Sequence, residues 1–344
     1  MNQQTLLIRA DATIAIGMGH VMRCLALAQA WQDAGGIVLF FMAQPSSAMR
    51  QRLVAERIEV VELASGPGSP DDAEELLDLA QARNAQWIVV DGYHFDAAYQ
   101  RRIKDGGRKL LFIDDMGKAE PYCADIVLNQ NLHAAATMYS RERYTQLLLG
   151  APYILLRRNF TARPRRDRIG RDASRLLVSM GGSDPGNLTA KILQALKKLN
   201  LPAWEAIAVI GEDNEFSQSL SDTILTNRLP VQLSENPPNM AELMEWSDFA
   251  VSAGGTTIWE LAFMGVPTLA ITRGEQERML MSAAAAREIA IDLGAFQSID
   301  SIEIKRAVES LAHDTDRRLR MSKAGPALSD GRGASRVVNA MNDF

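Results

Sequence analysis

The run Gly17-Met18-Gly19-His20-Val21-Met22-Arg23 sets a histidine directly behind two closely spaced glycines. Ahead of it, Leu6-Leu7-Ile8 reads as a buried strand. Behind it, the residues from Val21 through Leu25, Leu27 and Ala28 to Trp31 carry the apolar face of a helix. His20 is thereby predicted where a strand-loop passes into the first turn of a helix, the end of an open α/β sheet at which ligands bind. Free amides and a partial positive charge at such a terminus favour anions such as phosphate. The same field disfavours imidazolium, which would leave His20 neutral near pH 7 and able to accept a proton. A capping or packing histidine is the plainer alternative, because Gly-x-Gly alone is a weak signal.

Two further glycine-rich turns follow strand-like runs in the second half. Ser179-Met180-Gly181-Gly182-Ser183-Asp184-Pro185-Gly186 would bring bare backbone, at Gly182 and Ser183 above all, close to a ligand. Asp184-Pro185 suits a loop entering a helix. In Ser252-Ala253-Gly254-Gly255-Thr256-Thr257 a strand ends, two glycines turn, and the threonines open a helix with Glu260 in its first turn. Amides and hydroxyls there suit a diphosphate, with Glu260 in reach of ribose hydroxyls. The alternative for Glu260 is a carboxylate complementing the helix dipole. The turn lacks the lysine of a P-loop, which argues against an ATPase.

Such turns need sheets to hold them. Strand-like runs recur at Leu6 to Ile8, Val38 to Phe41, Val60 to Leu63, Trp87 to Val90, Leu110 to Ile113, Ile126 to Leu128 and Ile154 to Leu156. They resume at Leu176 to Ser179, Ala206 to Ile210, Val231 to Leu233, Phe249 to Val251 and Thr268 to Ile271. Helical patterns such as 71–83 lie between them, and this alternation predicts an α/β protein with parallel sheets covered on both faces. The rhythm breaks over 161–175, where Arg163, Arg165, Arg166, Arg168 and Arg171 cluster around Pro164 and Gly170; this reads as a solvated basic linker rather than a nucleic-acid patch. The expected organisation is a Rossmann-like domain over 1–160 carrying the histidine, a linker over 161–174, and a second Rossmann-like domain over 175–330. A helix over 331–344 crosses back, and the two domains face one another across a cleft.

Composition agrees with two self-sufficient cores: 344 residues, 47% hydrophobic and 23% charged. A net charge of -5 argues against nucleic-acid binding by bulk electrostatics. Cys24 falls on the apolar face of the first helix and Cys123 lies far from it, which implies no disulfide framework and a reducing compartment. With no basic leader and no apolar run near ~18 residues, a cytoplasmic protein without membrane insertion is expected, as a monomer or weak homo-oligomer. His20, His94, His133 and His313 show no metal-ligand spacing, so neither metal nor cofactor is expected.

Taken together, these motifs resemble the UDP-2,4-diacetamido-2,4,6-trideoxy-β-L-altropyranose hydrolases of pseudaminic acid biosynthesis. The resemblance runs in order along nearly the whole chain. It takes in Arg9-Ala10-Asp11 with Gly17-x-Gly19-His20-x-x-Arg23, Asp91-x-Tyr93, Ile113-Asp114-Asp115, Asn129-Gln130-Asn131 and Leu149-Gly150-Ala151-Pro152-Tyr153. The Gly181-Gly182-Ser183-Asp184 and Gly254-Gly255-Thr256-Thr257 turns with Glu260 complete it. It implies the two-domain GT-B fold, with uridine in the C-terminal domain, Glu260 on the ribose and the diphosphate between the threonine turn and the loop of Gly17 and Gly19. It implies His20 as the base that activates water against the anomeric carbon, with Tyr93 on the sugar side. Asp11, Arg23, Asp115 and Asn131 are expected towards the sugar. For Asp91 a loop or helix-cap carboxylate is expected, and Asp114 and Asp115 either polarise a sugar hydroxyl or cap their strand.

Two departures concern the sugar pocket. Where the family often carries Asn-Gln, this chain has Glu275-Gln276, behind Arg273, which would have to neutralise Glu275 beside a diphosphate. Where the family tends to carry tryptophan after Asp-x-Tyr, this chain has Asp96-Ala97-Ala98-Tyr99. The rival readings are a GT-B glycosyltransferase, in which His20 would deprotonate an acceptor hydroxyl, and a non-catalytic nucleotide-sugar binding protein.

Overall fold

The computed structural model describes residues 4–13, 17–163, 170, 173–182, 184–212 and 214–344, with the backbone alone at 276. The chain divides into two compact units, Met1–Arg158 with Gly331–Phe344, and Asn159–Asp330.

In the first unit seven strands form one sheet: β1 (Thr5–Ala10), β2 (Ile37–Met42), β3 (Glu59–Glu62), β4 (Ala85–Asp91), β5 (Lys109–Ile113), β6 (Ile126–Asn129) and β7 (Gln146–Leu149). Their order is β3-β2-β1-β4-β5-β6-β7 and every pairing is parallel. Central strands buried on both faces need unbroken apolar runs, which Leu6-Leu7-Ile8 and Ile88-Val89-Val90 supply. Leu6, Ile8 and Val89 pack under the helices Gly19–Asp33 and Gly333–Asn342, with Cys24 in that core. Leu7, Ile88 and Val90 pack under Pro70–Ala82 and Ala97–Asp105. The strand order reverses between β1 and β4, whose register sets Ala10 opposite Asp91. That reversal is the switch point at which ligands meet such sheets, and it brings the loop of His20 beside the end of β4.

One run departs from the sequence reading. Ile154-Leu155-Leu156 is buried but lies in no strand. The edge strand is instead Gln146–Leu149, whose polar first residue and short length hide it. The Ile154 backbone is the seat of the last helix: a β-carbon on Gly333 would lie 2.1 Å from the Ile154 carbonyl oxygen.

The second unit holds β8 (Arg175–Ser179), β9 (Glu205–Ile210), β10 (Val231–Glu235), β11 (Phe249–Ala253), β12 (Thr268–Thr272) and β13 (Ala290–Ala295), in the order β10-β9-β8-β11-β12-β13, all parallel. β13 was not legible as a strand because Asp292 and Gly294 interrupt it. This sheet reverses between β8 and β11, so its switch point brings together the two glycine turns that follow those strands. Of the arginine-rich segment, Arg165, Arg166, Arg168 and Arg171 lie outside the described residues. Arg163 is not simply solvated: it pairs with Glu242 at 2.7 Å and with Glu245, on the helix Met240–Trp246. Among the described residues no helix is long and apolar enough to cross a membrane.

Candidate active site

His20 is the second residue of the helix Gly19–Asp33 and is buried. Gly17 closes the turn before it at φ +78°, its amide donating to the Thr13 carbonyl at 2.7 Å. Met18 precedes the helix without a capping side chain and no acidic residue occupies the first turn, so the helix keeps its amides for another acceptor.

The imidazole is held from below. His20 Nδ1 lies 2.6 Å from Asp91 Oδ1. Arg23, one helical turn on, donates Nε to Asp91 Oδ2 and Nη2 to Oδ1, both at 2.7 Å. Asp91 is fully buried. Burial pushes its carboxyl up, but the Arg23 guanidinium and His20 more than offset this and hold it well below the usual carboxylate range. A carboxylate can only accept, so His20 Nδ1 donates its proton to Asp91, and Nε2 is left as the acceptor of the neutral ring. The expectation that Asp91 is a loop or helix-cap carboxylate is thus overturned: it is the last residue of β4, turned inward by the pleat onto His20 and Arg23.

The cluster continues into the next loop. Arg23 Nη1 donates to both oxygens of Asp115, at 2.8 and 2.9 Å, so one guanidinium joins the ends of β4 and β5. Asp115 also accepts from Asn131 Nδ2 at 2.7 Å and Tyr93 Oη at 3.1 Å. Tyr93, half exposed, meets the His20 ring edge-on at 4.7 Å between centroids. Desolvation and the nearby Asp115 charge push its phenol up, so it remains a hydroxyl donor at neutral pH. His20, Arg23, Tyr93, Asp115 and Asn131 are therefore brought together as neighbours. Asp114 caps its own turn, accepting from the amides of Met116 and Gly117.

Asp11 is bonded elsewhere. Its Oδ1 accepts from Arg9 Nη1 at 2.5 Å and from the Ala43 amide at 2.7 Å, and His94 Nε2 lies 3.3 Å from Oδ2. Arg9 is itself clamped onto Asp72, which also accepts from Tyr99 Oη. Burial raises the Asp11 carboxyl, and His94 and Arg9 bring it down to about 2.

In the second unit, Gly181 takes φ +91°, a conformation glycine adopts without strain. The Gly182 carbonyl accepts from Gly211. Ser183 lies outside the described residues. Asp184 accepts from the Leu188 and Thr189 amides, both at 2.9 Å, and caps the following helix. A β-carbon on Gly254 would stand 2.8 Å from Met281 Cγ, so packing excludes a side chain there. Ser252 Oγ donates to the Ala253 carbonyl. Thr256 precedes the helix Thr257–Phe263 without a side-chain cap, and Glu260 stands in its first turn. Arg273 does not neutralise Glu275: Glu275 pairs with Arg278, and Arg273 pairs with Glu277. The side chain of Gln276 lies outside the described residues.

Residues 176–331 match the glycosyltransferase family 28 C-terminal domain. The chain is 25% identical to the spore coat polysaccharide biosynthesis protein SpsG of Bacillus subtilis, over 98% of this chain and 97% of that one. It is 26% identical to the UDP-2,4-diacetamido-2,4,6-trideoxy-beta-L-altropyranose hydrolase of Campylobacter jejuni, over 74% and 86%. An uncharacterized protein of Methanocaldococcus jannaschii is 23% identical over 79% of this chain, which spans 56% of that protein's length. Among solved structures, MurG of Acinetobacter baumannii superposes with a TM-score of 0.67 at 13% identity, covering 99% of this chain and 100% of that one. The S. aureus MnaA–UDP complex gives 0.70 at 12% identity, covering 99% and 96%. At such identities the likeness is one of fold. The chain thus has the GT-B fold of two parallel-sheet domains, with residues 176–331 similar to the glycosyltransferase family 28 C-terminal domain and with sequence similarity to the hydrolase that its motifs resemble.

Proposed function

We propose that the chain hydrolyses a UDP-linked diacetamido-trideoxy sugar at its anomeric carbon, with inversion, releasing UDP and the free sugar for nonulosonic (pseudaminic) acid biosynthesis. The observation that carries this reading is the His20–Asp91 pair, which commits Nδ1 and leaves Nε2 to work as a base. Nε2 takes a proton from water as the water oxygen attacks C1. The bond from C1 to the diphosphate oxygen breaks on the opposite face, and the electron pair leaves with UDP. Asp91 receives the Nδ1–H throughout and supports the imidazolium. A base of this kind contributes ~10²–10⁴-fold in rate.

The division of labour follows the two switch points. The second unit takes UDP on the Gly181-Gly182-Ser183 and Gly254-Gly255-Thr256-Thr257 turns, with Glu260 towards the ribose. In the first unit Tyr93, Asp115 and Asn131 face the sugar. Arg23 is spent on two carboxylates, so its part is to fix Asp91 and Asp115 rather than to reach the sugar. The hydrolase among the relatives and the family 28 domain support this reading. The scheme routes no step through a metal.

The test is UDP release from the diacetamido-trideoxy-altropyranose UDP-sugar in water, without acceptor or metal, with the sugar followed by proton NMR. Release with an inverted free sugar is expected. UDP binding without release would overturn hydrolysis of this sugar and favour a transferase using the same His20 base on an acceptor hydroxyl.

A further inference from the structure

At the carboxyl end of the second sheet the loops that follow β8, β11 and β12 converge on one cation. Arg273 is the first residue after β12. Its Nη1 lies 3.2 Å from the point a β-carbon on Gly181 would occupy, and its Nη2 lies 3.7 Å from the same point on Gly255. The guanidinium therefore sits beside both glycine turns, over backbone that has no side chain to shield it.

Glu277 fixes this placement. It accepts the Arg273 backbone amide at 2.7 Å and Nε at 2.8 Å, and Nη2 as well. Binding main chain and side chain of one residue folds the arginine back over the turns. Glu277 engages the Nε and Nη2 side of the fork, and Nη1 points towards Gly181. The neighbouring carboxylate, Glu275, is turned to Arg278 instead. As a partly exposed ion pair, Arg273–Glu277 adds little to stability. A guanidinium fork next to glycine backbone is, however, a well-formed phosphate ligand.

We propose that Arg273 binds the phosphate groups of a nucleoside diphosphate, with Glu277 holding it ready and retaining one side of the fork when the ligand arrives. The proposal rests on the reading that the second unit holds the nucleotide, and it adds the cation that this reading lacked.

Isothermal titration of the full chain with UDP and with uridine tests it. Wild-type protein is expected to bind UDP more tightly than uridine. Arg273→Gln is expected to weaken UDP by about ten- to a hundredfold and leave uridine unchanged. Arg273→Lys, which keeps the charge but loses the fork, should fall between and guards against a folding defect. UDP affinity in both variants equal to wild type would overturn the role of Arg273 while leaving the nucleotide site standing. Equal wild-type affinity for UDP and uridine would also overturn it. No wild-type affinity for either ligand would overturn the nucleotide reading itself.

Discussion

Asp91 Oδ1 stands 2.6 Å from His20 Nδ1, across the two strands between which the first sheet reverses its order. The pair sets both the tautomer and the orientation of the ring. Asp91→Asn can present an amide N–H to Nδ1, which would move the imidazole proton to Nε2 and remove the base. Turnover of the UDP-sugar is expected to fall at least about a hundredfold, with UDP affinity retained. Wild-type kcat in this variant would take Asp91 out of the mechanism.

His20→Asn is expected to fold, to bind UDP and to turn over at least about a hundredfold more slowly. Thermal melting and UDP titration establish the first two points, and steady-state UDP release the third. Undiminished release would sink the base assignment.

Tyr93 contributes a ring edge to His20 and a hydroxyl to Asp115. Tyr93→Phe keeps the first and loses the second, and a loss of at most about tenfold in kcat/KM is expected. Tyr93→Ala loses both and should fall further. Identical kinetics for the two variants would show that the ring does not support His20.

Acid should undo the first unit's buried ion pairs. Asp11 has its carboxyl lowered to about 2 in the fold, against about 3.9 in an unfolded chain. A depressed folded value means that its stabilisation, about 2–3 kcal/mol, is fully present above pH ~5 and is lost as pH falls towards 2. Asp91 is lowered as well, in the same direction. Melting temperatures should therefore be level above pH ~5 and decline below pH ~4. A rise on acidification would contradict the network.

Gly333→Ala drives a methyl into the Ile154 carbonyl. Backbone on both sides cannot yield as a side chain would, so a loss of about 1–3 kcal/mol is expected by denaturant unfolding. An unchanged midpoint would mean that the last helix is not seated as described.

His20 was legible because its signal is local: glycines before it and an apolar helix face behind it. Asp91 was not, because its role depends on which strand lies beside which. Nothing in the residues around Asp91 states that β4 borders β1, although the Asp-x-Tyr pattern marked the loop. Arg273, read from sequence as a counter-charge for Glu275, escaped for a different reason: two acidic partners stand within four residues of it, and only the folded backbone decides between them. Once Glu277 claims the arginine's backbone and side chain, Glu275 turns to Arg278. The parallel sheets were legible because strands buried on both faces must be apolar throughout. Gln146–Leu149 and Ala290–Ala295 carry polar or glycine interruptions, and so escaped.

The helix Gly333–Asn342 places Val337, Val338 and Met341 in the core beneath β1 and β4. These residues follow the whole of the second unit in the chain. During synthesis the first unit therefore waits with an uncovered apolar groove while some 170 intervening residues, Asn159–Asp330, leave the ribosome and can collapse on their own. The order of completion is the reverse of the order of translation. A nascent chain stalled before residue 333 should accordingly be the species most prone to chaperone capture and aggregation.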